Sequence, residues 1–151
     1  MAAAKRAKHT RFKGFPPAAM DFFRGLEEEN SREYFLSHKE QYLDAVREPM
    51  EALAAELSEE FGPGKVFRLN RDLRFGNDKS PYKLHQGAFV SAGPHMGWYV
   101  QVSSVGIQVG GGVYYAEGRE LAQFRAAAAS PRGEELSRIV EELSAGRWTV
   151  M

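Results

Sequence analysis

The stretch KVFRLNRDLRFGNDKSPYKLH, residues 65–85, divides the chain into two parts with different hydrophobic patterns. Its first half alternates apolar and polar side chains, which predicts a β-strand; the apolar positions are Phe67, Leu69, Leu73 and Phe75. Arg71 falls on the apolar side, where an unpaired guanidinium costs on the order of several kcal/mol. We therefore expect either a bulge that turns Arg71 outward or an acidic residue that pairs with it. Gly76-Asn77-Asp78 is typical of a turn that folds residues 79–83 back beside the strand.

Upstream of this stretch, apolar residues recur every three or four positions, which predicts helices. The prolines at 16–17 are placed to begin the first helix, since proline loses no hydrogen bond there. Asn30 precedes Glu33 by three residues, so we expect Asn30 to cap a second helix. Pro49 should end or kink that helix near residue 48. The helical pattern then continues to a stop signal at FGPG, residues 61–64.

Downstream of the stretch, short alternating segments predict an antiparallel meander. Turns or bulges separate them at residues 91–94, 103–106 and 110–112. The last of these, a run of three glycines, fits a bulge or a close backbone approach better than a phosphate loop. Two further helices are predicted over residues 117–129 and 134–143. The fold class is therefore α+β, with N-terminal helices, a central antiparallel sheet of short strands, and C-terminal helices.

At 151 residues, the chain fits one domain with a core of its own. We expect a flexible basic tail at residues 1–12 and a single domain at 13–151. No apolar run approaches the roughly 18 residues of a membrane span, and no signal-like segment follows the basic N-terminus. A cytoplasmic location without membrane contact is therefore expected. Cysteine is absent and the histidines lack metal-ligand spacing, so neither a metal nor another cofactor is indicated.

The net charge of zero conceals a segregation of charge along the chain. Residues 14–64 carry twelve acidic and four basic side chains, whereas residues 65–85 carry six basic and two acidic ones. Acidic helix faces that solvate the domain explain the first block. The basic block indicates where an anionic partner would bind.

One series of residues in the basic stretch resembles a family signature. It reads Arg-x-x-Arg-Asp-x-Arg-Phe-x-x-x-Lys-x-x-Tyr and consists of Arg68, Arg71, Asp72, Arg74, Phe75, Lys79 and Tyr82. The series resembles the signature of an uncharacterised, mainly bacterial family, domain of unknown function 2461, to which residues 12–35 and the glycines at 110–112 are also similar. The resemblance implies no particular activity. It also implies that other members of the family continue beyond the point where this sequence stops. A C-terminal part is therefore expected to be missing or diverged.

The cations and the tyrosine of this stretch predict a site for an anionic small molecule. A guanidinium, an ammonium and a phenol together suit a phosphate or a carboxylate; the candidates are Arg68, Arg71, Arg74, Lys79, Tyr82 and Lys83. On a straight strand Arg68 and Arg74 would lie roughly 20 Å apart. We therefore expect Lys79 to converge with Arg71 or Arg74 across the turn. Residues 79, 82 and 83 are expected to be exposed to the ligand.

Two other hypotheses fit the same residues. In a structural or protein-interaction domain, Arg71 and Asp72 would form a buried ion-pair scaffold with Glu33 of the acidic helices. A nucleic-acid-binding module would combine the tail, the basic stretch and the strand aromatics Trp98, Tyr99, Tyr114 and Tyr115, but zero net charge and the acidic helices argue against it. His85 is a candidate acid/base group, although a lone histidine is more often a surface or packing residue. Enzyme status is left open, because no nucleophile or general base can be assigned.

Overall fold

The computed structural model describes residues 10–151, and the chain divides into two compact units between Val113 and Tyr114. Helices at both ends of the chain and a central four-stranded antiparallel sheet confirm the class α+β. Residues 1–9 of the predicted tail lie outside the described residues. The backbone N–H of Phe12 donates to a Glu56 carboxylate oxygen at 2.7 Å. The assignment of residues 13–151 to one domain stays a prediction.

Helix α1, Pro17–Glu28, begins at the predicted proline, whose missing N–H would have had no helical partner. One face of this helix is fully buried; it consists of Ala19, Phe22, Phe23 and Leu26. Because these positions recur every three or four residues, the periodicity in the sequence corresponds directly to the buried face.

The following helical region consists of shorter segments than the sequence predicts. They are α2 (Arg32–Ser37), α3 (Lys39–Tyr42), a π-helical turn (Leu43–Arg47) and α4 (Glu48–Phe61). Ser31 caps α2, because its hydroxyl accepts a hydrogen bond from the backbone N–H of Tyr34 at 3.0 Å. The predicted cap at Asn30 is wrong, since the side chain of Asn30 bonds to a distant segment of the chain.

The predicted boundaries of α4 are confirmed. The π-helical turn ends at Arg47, and Pro49 lies in the first turn of α4, where its ring is tolerated. At the other end Gly62 follows Phe61 with φ of 130°, in the region that favours glycine.

The sheet is an antiparallel meander in the order β1-β2-β3-β4, as predicted. Its strands are β1 (Gly64–Val66), β2 (His85–Gly93), β3 (Met96–Ser103) and β4 (Gly106–Val113). The glycines at 110–112 lie within β4, where the pairing with β3 is unbroken, so they form neither the turn nor the bulge that the sequence predicts as alternatives to a close backbone approach. Gly111 lies against the ring of Trp98, which an added Cβ would approach to 2.5 Å. A close approach therefore explains this glycine.

The two faces of the sheet differ in what packs against them. On the face that we call the helix face, Ala88, Val100 and Val102 join the hydrophobic core with residues of α1 and α4. Gln86 on this face accepts a hydrogen bond from the hydroxyl of Tyr42 at 2.7 Å. Alternate residues such as Tyr99 point to the opposite side, which we call the outer face.

The second unit contains helices α5 (Gly118–Ala128) and α6 (Pro131–Ala145), close to the predicted ranges. Ser130 caps α6, because its hydroxyl accepts a hydrogen bond from the backbone N–H of Arg132 at 3.3 Å. Neither helix contains a fully buried residue. All residues of the hydrophobic core belong to the first unit.

Candidate functional site

The basic stretch forms an irregular hairpin, which we call the basic arm and define as residues 67–84. Strand β1 ends at Val66, so the strand predicted through residue 75 is wrong beyond that point. Antiparallel contacts continue into the arm, where the N–H of Arg71 donates to the carbonyl of Pro81 at 2.9 Å. The chain therefore returns beside its own incoming segment, as predicted from the turn at 76–78.

A shift of register separates the apolar residues of the arm. The N–H of Phe67 donates to the carbonyl of Gly87, whereas the N–H of Lys83 donates to the carbonyl of Leu69. Between these two hydrogen-bonded pairs the incoming segment advances by two residues and the returning segment by four, which is a bulge-like irregularity. As a result Leu69 is 3% exposed and belongs to the core, while Phe67 lies beside Tyr99 with 6.3 Å between ring centroids.

Arg71 is held by partners within the arm. Its Nη2 lies 3.2 Å from a carboxylate oxygen of Asp78 and donates to the carbonyl of Tyr82 at 3.4 Å. Hydrogen bonds from Ser80, followed by the charge of Arg71, lower the pKa of Asp78 below its usual range. The expected acidic partner is therefore present, but among the described residues it is Asp78, and the predicted ion pair with Glu33 is not formed. The Nε of Arg71 is buried and has no hydrogen-bond partner in residues 10–151.

Tyr82 ties the basic arm to the helices. Its ring stacks on that of Phe35 with 4.8 Å between centroids, and the residue is only 6% exposed. The side-chain amide of Asn30 donates to the carbonyl of Tyr82 at 2.9 Å and accepts from its N–H at 3.1 Å. The expected exposure of Tyr82 is therefore wrong, because core packing and the bonds to Asn30 turn the ring inward.

At the tip of the arm the cations have local partners. Arg74 donates from Nε and Nη2 to the two carboxylate oxygens of Asp72, at 3.0 and 2.7 Å. These hydrogen bonds lower the pKa of Asp72, while the Arg74 side chain remains 76% exposed. The Nζ of Lys79 donates to the carbonyl of Leu73 at 2.8 Å. The exposure predicted for Lys79 is confirmed, and its expected convergence with an arginine stays a prediction.

At the root of the arm, several cations lie beside strand β2. Lys65 and Lys83 each place Nζ 5.9 Å from the ring centroid of Phe67. His85 is half-buried, and burial lowers its pKa below the usual value. The positive charges of Lys83 and Arg71 lower this pKa further. We call Lys65, Arg71, Lys83 and His85 the root cluster.

The sequence reasoning identified only part of the root cluster. Arg71 and Lys83 are among the predicted site residues, but Lys65 lies outside the signature and His85 was considered only as a lone acid/base group. The exposed Arg68 contributes its backbone carbonyl as the acceptor for the Nζ of Lys83 at 2.9 Å. Lys65 could have been found from its place inside the basic stretch, next to the aromatic residue that its ammonium group approaches.

A cavity of about 370 Å³ lies on the helix face of the sheet and differs chemically from the root cluster. Aromatic and aliphatic residues dominate its lining; among them are Leu53, Leu57, Phe61, Trp98, Ile107 and Val109. A cavity lined in this way offers no charged group to an anion, so we do not place the anion site there.

Residues 10–151 contain neither a metal-binding cluster nor a membrane-spanning helix. Among these residues, no group of three or more histidine, aspartate or glutamate side chains is arranged to hold a metal ion. No helix in the same range is long and apolar enough to cross a membrane.

Comparison with known proteins places the chain in a family without assigning an activity. Neither the curated proteins nor the solved structures contain a match to this sequence. A family model described as "Conserved hypothetical protein (DUF2461)" matches residues 18–149, which is most of the chain. The chain therefore belongs to the family of conserved hypothetical proteins called DUF2461.

Proposed function

We propose that the protein binds an anionic small molecule, bearing a phosphate or a carboxylate, at the root of the basic arm. The observation that carries this proposal is the approach of two ammonium groups to one ring: the Nζ atoms of Lys65 and Lys83 each lie 5.9 Å from the centroid of Phe67. Like charges held close together repel each other, and an anion bound between them relieves that repulsion. Lys83 is partly buried, which strengthens its attraction for an anion because less water screens it.

Two of the three residues proposed for direct contact, Lys83 and Arg71, are among those predicted from the sequence, and the third, Lys65, is not. Lys83 and Arg71 supply an ammonium and a guanidinium, and Lys65 adds a second ammonium from β1. Arg68 and Lys79 are exposed and remain candidates for the rim of the site. Arg74 is engaged by both oxygens of Asp72, whereas Arg71 meets one oxygen of Asp78, so an anion would have to compete with a carboxylate at either arginine and with more hydrogen bonds at Arg74.

Thermal denaturation in the presence of inorganic phosphate, citrate or a nucleotide tests this proposal. At a ligand concentration about 100 times Kd, binding adds ~2.7 kcal/mol to stability. For a domain of this size, that is a rise of several degrees in Tm. No rise with any of these anions would overturn the proposal.

A matched pair of lysine variants locates the binding. Lys83→Gln removes a charge from the root cluster, whereas Lys13→Gln removes the same charge from an exposed position outside the arm. We expect Lys83→Gln to lose most of the anion-dependent rise in Tm and Lys13→Gln to retain it. Equal retention in both variants would place the anion elsewhere.

A structural role for the motif is the second candidate, and one observation favours it. Arg71 bridges Asp78 and the carbonyl of Tyr82, and Tyr82 is in turn held by Asn30. These contacts link the turn of the arm to its returning segment and then to the helical layer. A motif that served only this purpose would lower stability when altered and would leave the protein without any response to anions.

A further inference from the structure

The outer face of the sheet carries half-buried aromatic side chains next to the root cluster. Phe89 and Tyr99 are opposite each other on β2 and β3, in the alternate positions to those that face the helices. Phe67 lies beside Tyr99 at the start of the basic arm. None of the three belongs to the hydrophobic core.

Glycines beneath these rings let them lie close to the sheet. A Cβ at Gly87 would come within 2.5 Å of the hydroxyl oxygen of Tyr99 and within 3.0 Å of two ring carbons. A Cβ at Gly97 would come within 2.5 Å of the ring of Phe89. Since one side of the Tyr99 ring lies against the backbone at Gly87, the proposal uses the opposite side for stacking.

The aromatic surface and the cations are close enough for one molecule to contact both. The Nζ atoms of Lys65 and Lys83 lie 5.9 Å from the centroid of the Phe67 ring, and the centroid of the Tyr99 ring lies 6.3 Å from that of Phe67. Aromatic rings flanked by basic side chains on a sheet are suited to stacking a nucleobase while holding its phosphate.

We infer that the anion bound at the root cluster is a mononucleotide, whose phosphate meets Lys83 and Arg71 and whose base stacks on Tyr99. This inference rests on the proposed function and adds that the bound anion carries a planar base. Phosphate held by Lys83 would lie beside Phe67, so the base is directed along the outer face toward Tyr99. The amide of Gln101 accepts from the Tyr99 hydroxyl at 2.9 Å, which fixes the ring in this position.

The distribution of charge favours a single nucleotide over a nucleic acid strand. A strand binds through many phosphates and needs an extended positive surface. The chain has no net charge, and residues 14–64 carry twelve acids against four bases. The root cluster is a local positive region, which matches one phosphate group.

Isothermal titration calorimetry with three ligands tests the inference: adenosine monophosphate, ribose 5-phosphate and a ten-nucleotide oligodeoxyadenylate. We expect the mononucleotide to bind at least about tenfold more tightly than ribose 5-phosphate, which lacks the base. We expect the oligonucleotide to bind no more tightly than the mononucleotide.

Variants of β3 separate stacking from phosphate binding. Tyr99→Leu should weaken the binding of adenosine monophosphate about tenfold and leave the binding of ribose 5-phosphate unchanged. Tyr99→Phe keeps the ring, so it should bind adenosine monophosphate as the unaltered protein does. Trp98→Leu is the matched control, because Trp98 lies next in sequence on the helix face.

Equal affinity for the mononucleotide and ribose 5-phosphate would overturn the inference while leaving anion binding intact. Absence of binding by both, together with no response to inorganic phosphate, would overturn the inference and the proposed function. Much tighter, steeply salt-dependent binding of the oligonucleotide would replace the mononucleotide with a nucleic acid strand.

Discussion

Arg71 and Arg74 are three residues apart in one motif, yet their environments differ. The Arg71 side chain is 29% exposed and bridges Asp78 and the carbonyl of Tyr82. Arg74 is 76% exposed and pairs with Asp72 close by in sequence. Exposed ion pairs contribute little to stability, because water and salt screen them. Hydrogen bonds from a charged and partly buried donor contribute more.

The first prediction compares these two arginines. Arg71→Ala should lower the free energy of unfolding by about 1–3 kcal/mol, because the charged hydrogen bond to the Tyr82 carbonyl and the ion pair with Asp78 are both lost. Arg74→Ala should change it by less than about 1 kcal/mol. Urea denaturation of both variants measures the difference. Unchanged stability of Arg71→Ala would exclude a structural role for this residue.

The second prediction concerns the titration of His85. Burial, followed by the charges of Lys83 and Arg71, lowers its pKa below the usual 6.5. The folded protein therefore binds this proton less readily than the unfolded chain. The corresponding stability is fully present above about pH 6.5, and it is lost as pH falls from there through the lowered pKa.

Nuclear magnetic resonance titration of the His85 ring measures this pKa directly. Lys83→Gln should raise it part of the way toward 6.5, since burial remains the larger cause. Lys13→Gln should leave it unchanged. A pKa at or above 6.5 in the unaltered protein would contradict the electrostatics proposed for the root cluster.

At the level of elements, the basic arm extends the β1–β2 pair with an altered register. Backbone hydrogen bonds hold residues 67–71 against residues 81–87, but the register shifts by two residues within this pairing. This irregularity sends Leu69 into the core and leaves Phe67 on the outer face. The period of two predicted the strand character at the start of the arm. The shift depends on partners 14 to 20 residues away, which local alternation does not encode.

The third prediction uses two glycines in neighbouring strands. An added Cβ at Gly97 would collide with the carbonyl oxygen of Val90 and the ring of Phe89, whereas at Gly110 it meets nothing within 4 Å. Gly97→Ala should therefore destabilise the protein by roughly 1–3 kcal/mol. Gly110→Ala should stay within about 0.5 kcal/mol of the unaltered protein. Thermal denaturation checks both values, and equal effects would disprove the close packing over Gly97.

At the scale of the whole molecule, the two units differ in how many hydrophobic side chains they bury. The hydrophobic core, with helix α1 and strands β2 and β3, lies entirely in the first unit. Helices α5 and α6 have no fully buried residue. Isolated helices of this length are marginal in water, because their stability comes mainly from packing of an apolar face.

The fourth prediction follows from this difference. A peptide of residues 114–151 should show little helix by circular dichroism and no cooperative thermal transition. A fragment of residues 1–113 should unfold cooperatively, since it contains the core. A cooperative transition in the isolated peptide would show that α5 and α6 hold together without a larger core.

The sequence alone determined the class of fold, most element positions and the family signature. Helix α1, the end of α4 and the strands of the meander depend on periodicity and on proline and glycine signals, which act over a few residues. The segregation of charge likewise located the basic stretch without any structure. These features are local, so a single chain is enough to reveal them.

The tertiary structure alone decided which cations lie together and which aromatic rings face outward. Tyr82 is buried because Phe35 and Asn30 reach it from the helices. Lys83 lies beside Phe67 because the arm returns with a shifted register. Both outcomes arise from contacts between residues distant in sequence, whose geometry depends on the packing of the whole unit.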